Sequence, residues 1–153
     1  MNFEVRAATP ADAAELAELR YQFRTELDSP VEGKAEFLER CTGWMATQLG
    51  PGGRWRCWVA QSGGALVGTI WLQRIEKLPN PVGHRGYHGY VSSVFVQPGL
   101  RQAGIGSALL AACLTECEAE GIDAVFLWPT ERSRPLYQRH GFAVRDDLLE
   151  RRF

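Results

Sequence analysis

One stretch in the second half of the chain, QPGLRQAGIGSALL at residues 97–110, restricts the possible folds more than any other. A proline, an arginine and two alternating glycines, Gly104 and Gly106, stand directly before apolar residues at helical spacing. A helix that opens beside a glycine-rich turn aims unpaired backbone N–H groups and the positive end of its dipole at whatever lies in front of it. The natural occupant is an anion, usually a phosphate. Residues 90–96 before the turn and 122–128 after the helix read as strands. Strand, helix and strand in this order form a βαβ unit, whose strands run parallel with a right-handed crossover.

The rest of the chain supplies the elements around that unit. Residues 3–8 alternate as a short strand, and Thr9, Pro10 and Asp12 announce a helix that Asp28-Ser29-Pro30 stops. A second helix is expected over residues 34–48. Strands over 55–61 and 65–74 are joined by Ser62-Gly63-Gly64, a hairpin signature. Residues 79–89, rich in Gly and Pro, read as a loop at a pocket mouth. A short helix over 132–140 and terminal strands near 142–144 and 148–152 complete the chain. At 153 residues and 45% apolar content, a single domain spanning residues 1–153 is expected, without internal repeat or linker.

Composition narrows the functional classes. Net charge is −1, and from residue 100 onward 7 basic side chains face 8 acidic ones, so the late arginines do not form a nucleic-acid patch. Neither a membrane span nor an export signal is read in the sequence. The four cysteines, Cys41, Cys57, Cys113 and Cys117, show no metal-binding spacing and are expected as reduced, partly buried thiols of a cytoplasmic protein. No metal is expected.

Three glycine-rich signatures compete for residues 101–106. A Walker P-loop needs Gly-Lys-Ser/Thr, and here Gly106 is followed by Ser107-Ala108. A dinucleotide fingerprint needs a small residue where Leu109 stands. The third pattern, Arg/Gln-x-x-Gly-x-Gly/Ala after a strand ending in Val-x-Pro, fits at every position. It resembles the pyrophosphate-binding segment of the GNAT superfamily of acyl-CoA-dependent N-acyltransferases. A second signature of that family is similar to residues 130–142, where Tyr137 is followed four residues later by Gly141-Phe142. The resemblance covers nearly the entire chain, strongest over 90–142 and weak before residue 55.

The resemblance implies a mixed α/β (α+β) GNAT-like fold: a central mixed six- to seven-stranded sheet flanked by helices, with the parallel unit and strands that splay apart at the cofactor site. It implies transfer of acetyl from acetyl-CoA, as cosubstrate, directly to a primary amine of a small molecule or protein. Val94, Phe95 and Val96 would hydrogen-bond the pantetheine arm through backbone groups left free by the splay. Arg101, Gln102, Ala103, Gly104, Ile105, Gly106 and Ser107 would hold the pyrophosphate, with Arg101 adding charge or steadying the turn. Thr130 stands where the family often has an asparagine on the cofactor arm. Tyr137 is nominated as the acid for the leaving thiolate. Where many members carry a carboxylate this chain has Ser92 and Ser93, which leaves the base open among Glu76, His84 and His88.

An acceptor pocket is expected between the first helix pair, the 79–89 loop and the terminal strands, with Glu26, Asp28, Glu32, Asp146 and Asp147 attracting a cationic amine. Exposed sheet edges allow a homodimer. Two other readings stand beside the enzyme: a non-catalytic CoA-binding or regulatory module, and an ATP- or dinucleotide-binding protein.

Overall fold

Along the strand Trp55–Ser62 (β2), successive side chains enter two different apolar cores, and this alternation fixes the layering. In the computed structural model, which describes residues 1–83 and 86–153, Cys57 and Val59 face one core while Trp58 and Ala60 face the other. A sheet apolar on both faces needs helices on both. The helices Ala13–Leu27 (α1) and Lys34–Leu49 (α2) cover the first face, where Leu16, Ala17, Leu19, Cys41 and Met45 are buried. The helix Ile105–Ala119 (α3) covers the second with Ile105, Leu109, Leu110, Cys113 and Cys117. Gly68 lets α3 lie close to the sheet, since a Cβ there would sit 3.1 Å from both Ile105 and Leu109.

Among the described residues the sheet has five strands in sequence order: Glu4–Ala7 (β1), β2, Ala65–Glu76 (β3), Tyr87–Val96 (β4) and Ile122–Phe126 (β5). All neighbours are antiparallel except β4 and β5, which run parallel on either side of α3, as the βαβ reading requires. The expected six or seven strands are thus corrected to five. Residues 142–144 and 148–152 form no strand: all of residues 143–153 are exposed, and Leu148 and Leu149 find no sheet partner for their apolar side chains. The loop read over 79–89 is shorter than expected, because β4 already begins at Tyr87. A short helix, Arg134–Arg139 (α4), lies within the expected range.

The start of α1 is pinned to β1. Both terminal nitrogens of Arg6 donate to Asp12, at 2.9 and 2.8 Å, and the Thr9 backbone N–H donates to the same carboxylate at 2.8 Å. These bonds to Arg6 hold the Asp12 carboxyl below its ordinary pKa. They matter for the site because α1 forms one of its walls.

Candidate functional site

The turn before α3 is built as a hollow lined by main chain. Gln102 and Gly104 both adopt left-handed backbone, at φ 67° and 84°, while Ala103 between them does not. Alternating handedness turns consecutive N–H groups toward one point, the geometry of an anion-binding nest. From Gln102 to Ser107 the backbone N–H groups have no acceptor among the described residues. Gly104 supplies the left-handed residue at no steric cost, and an added Cβ on it would meet nothing within 4 Å. The hollow belongs to a cavity of about 380 Å³ walled by Val94, Phe95, Val96 and residues of the turn on one side and by Arg132, Leu136 and Arg139 on the other.

Arg101 does not point its charge into this hollow. Its Nε donates to the Val96 carbonyl at 2.9 Å, its Nη2 donates to both oxygens of Glu26 at 3.2 and 2.9 Å, and its guanidinium lies 5.4 Å from the centre of the Phe95 ring. Of its two expected roles, the contacts favour steadying the turn. The Ser107 hydroxyl lies 2.7 Å from Nε2 of His140, leaving its N–H as the group aimed at the hollow. Ala103 lines neither this cavity nor the next.

A gap opens where the parallel strands part. The β4–β5 ladder ends at Tyr90 and Phe126, so residues 91–96 lose their neighbour on that side, in agreement with the expected splay. A bulge bends β4 at the same place. Thr69 pairs with Phe95 and Trp71 with Ser92, leaving Ser93 and Val94 both opposite Ile70. Ser93 takes φ 54°, and its hydroxyl oxygen is buried without a hydrogen-bond partner. A second cavity of about 740 Å³ fills the gap and shares Phe23, Val94, Arg132 and Ser133 with the first. An extended thioester arm suits these features: unsatisfied N–H groups at one end, an orphaned hydroxyl midway, and an open strand edge between them.

Tyr137 lines the second cavity and is 7% exposed. Burial pushes its hydroxyl up to about 12, with Ser133 pulling weakly the other way, so the phenol keeps its proton at neutral pH. Thr130 shares the wall, but its hydroxyl donates to Ser133 Oγ at 2.9 Å and accepts from the Ser133 N–H at 3.2 Å, bonds that fasten the turn into α4.

The expected base candidates lie elsewhere. Glu76 and His88 sit at the opposite end of the β3–β4 ladder, where Glu76 pairs with Tyr87 and Ile75 with His88. Five residues of strand, about 16 Å, separate His88 from Ser93. His84 lies outside the described residues. Among the described residues no free carboxylate or imidazole lines the larger cavity: Glu26 is paired with Arg101, and Glu131 with Arg134 at 3.4 Å.

Set beside the acceptor pocket expected between the first helix pair, the 79–89 loop and the terminal strands, the larger cavity has walls from α1, β4, residues 127–133 and Tyr137; among the described residues, α2, the 79–89 stretch and residues 143–153 contribute no lining residue. Of the five acids expected there only Glu26 lines it, while Glu32 pairs with Arg40, and Asp147 pairs with Arg145. Sequence reasoning missed Arg20, Phe23 and Arg24 of α1. One signal was available: two arginines at i and i+4 repel across a helix turn, which calls for a compensating reason.

A family model described as the acetyltransferase (GNAT) family matches residues 15–142. A mycothiol acetyltransferase of Frankia alni is 36% identical over 91 residues, covering 56% of this chain and 27% of its own length. Its counterpart in Frankia casuarinae is 37% identical over 95 residues, covering 58% and 28%. The chain thus spans little more than a quarter of the length of these curated relatives. Among solved structures, a GCN5-related N-acetyltransferase from Ralstonia eutropha superposes with TM-score 0.80 at 27% identity, covering 98% of each chain. A predicted acetyltransferase from Clostridium acetobutylicum, crystallised with acetyl-CoA, gives TM-score 0.82 at 22% identity over 99% of this chain and 96% of its own.

Proposed function

The chain belongs to the acetyltransferase (GNAT) family, and from that premise we propose that it transfers the acetyl group of acetyl-CoA to a primary amine. The observation that carries the reading is the run of unpaired N–H groups from Gln102 to Ser107, opening onto a gap between parting strands. The first gives a diphosphate its donors, and the second gives an extended arm an open strand edge.

The chemistry assigned to the chain's own residues is short. The cavity orients a neutral amine against the thioester carbonyl, and a backbone N–H freed by the bulge at Ser93 and Val94 stabilises the charge that grows on the carbonyl oxygen. The new C–N bond forms as the C–S bond breaks. The amine nitrogen loses one proton to solvent, and the departing sulfur takes one from Tyr137, which is reprotonated from solvent. The products are an N-acetyl amide and the CoA thiol.

A buried phenol near 12 giving its proton to a thiolate with the value it has in water, about 8.5, is unfavourable by about 3.5 units, roughly 5 kcal/mol. The burial that raises the phenol acts on a thiolate in the same cavity too, and lessens that gap. With no free carboxylate or imidazole on the wall, the amine deprotonates through water.

Ligand-induced stabilisation tests the binding half: at 100 times the dissociation constant, acetyl-CoA and CoA should stabilise by about 2.7 kcal/mol while ATP and NAD leave the melting point unmoved. Thiol release with a panel of amines tests the transfer half. The bare, base-free wall also fits a CoA-binding module without turnover, which would show the stabilisation and release no thiol.

A further inference from the structure

The larger cavity is cationic, opposite to what an ammonium acceptor would favour. Arg20 and Arg24 reach it from successive turns of α1, and Arg132 faces it from the segment before α4. None of the three forms an ion pair among the described residues, whereas both acids of the cavity are neutralised by Arg101 and Arg134. Arg20 and Arg24 flank the Phe23 ring, their guanidinium carbons 6.0 and 5.9 Å from its centre. Burial and the neighbouring Arg24 both weaken the hold of Arg20 on its proton, weakly opposed by Cys41 and Tyr90. A half-buried arginine, Arg20, with the like charge of the exposed Arg24 one helical turn away is costly without an anion. Tyr90 and Trp128 form an aromatic wall of the same cavity, with ring centres 5.4 Å apart and Trp128 55% exposed.

Resting on the acetyltransferase reading above, we propose that the acceptor is a small amine carrying a carboxylate or phosphate, and that Arg20 and Arg24 hold this anionic group. A guanidinium fork matches either anion with two parallel hydrogen bonds. The same charges disfavour an ammonium ion nearby and so favour the neutral, nucleophilic amine in a cavity with no free carboxylate or imidazole among the described residues. Polyamines and cationic aminoglycosides are disfavoured by the same field.

Matched probes test this in two arms on the full chain. In the first, protein saturated with CoA is titrated with N-acetyl-L-phenylalanine against its amide, and with N-acetyl-2-aminoethyl phosphate against N-acetylethanolamine. In the second, thiol release from acetyl-CoA is followed with the four corresponding free amines. The anionic member of at least one pair should bind and react about 10- to 100-fold better than its neutral partner. Which pair shows it separates carboxylate from phosphate. R20Q and R24Q, which keep a good helix former at each position, should erase the preference while keeping the stabilisation by CoA. Equal binding within both pairs, no binding by any probe, or a preference that survives both substitutions overturns the anion site. Thiol release with neutral or cationic amines alone overturns it and leaves the acetyltransferase standing; anion binding without thiol release does the reverse.

Discussion

The two halves of the cleft are made of different material. At the α3 end, the hollow from Gln102 to Ser107 is a surface of main-chain N–H groups: the turn's own arginine, Arg101, is turned outward onto Val96 and Glu26, and Arg132 and Arg139 stand on the opposite wall. At the α1 end, the cavity is shaped by side chains, Arg20, Phe23, Arg24, Tyr90 and Trp128, that come together only through tertiary packing. A ligand part common to many enzymes can be held by backbone, whose groups are the same in every protein. A part peculiar to one enzyme needs side chains.

The largest test bears on the residue between the halves. Replacing Tyr137 with Phe should lower kcat by about 10²- to 10⁴-fold, the usual contribution of a general acid, without changing the Michaelis constant for acetyl-CoA. Unaltered turnover in steady-state assays removes Tyr137 from the chemistry. Next, G104V forces a β-branched residue into left-handed backbone and should spoil the convergence of the N–H groups. Losing two charge-assisted hydrogen bonds at about 1.5 kcal/mol each raises the acetyl-CoA Michaelis constant by about 100-fold. An acetyl-CoA titration that finds no weakening means that the hollow does not hold the coenzyme's phosphates.

Smaller effects sharpen the side-chain half. D12N removes the charge that fastens the start of α1 to Arg6 and should destabilise by about 2 kcal/mol at pH 7. Because the folded pKa of Asp12 is lowered, that advantage exists above the ordinary carboxylate pKa, near 4, and is lost as pH falls through the lower folded value. Urea unfolding of both proteins at pH 7 and below pH 3 reads the sign: the two curves should converge in acid. Least of all, R101A should cost about 1 kcal/mol, a fall of about 3 °C in melting point, with the acetyl-CoA Michaelis constant nearly unchanged. A tenfold rise in that constant instead returns Arg101 to the phosphate.

The same division explains what was legible beforehand. Backbone sites require glycines at fixed spacing, so the turn at 101–106 could be read residue by residue, as could the βαβ unit, the two α1–α2 segments and the hairpin. Tyr137 was legible because a short local motif carries it. The acceptor side left no local pattern: Arg20 and Arg24 are separated by about 70 residues from the strand they face, and surplus acids elsewhere in the chain suggested the opposite charge. The terminal strands failed for a related reason. Apolar residues near 142–152 suggest a strand, but among the described residues the outer edge of β5 is left unpaired, and residues 143–153 instead contribute isolated contacts such as Glu150 accepting from the Trp128 indole at 2.9 Å.

Where β4 loses β5 beyond Tyr90, the backbone groups along residues 91–95 have no neighbouring strand on that side among the described residues. Any extended polypeptide offers those groups a match, so an idle molecule carries a sticky seam that another chain can stitch onto. On the proposed reading, a coenzyme arm laid along the seam would cover it, so that the edge which binds the substrate and the edge open to another chain are one and the same.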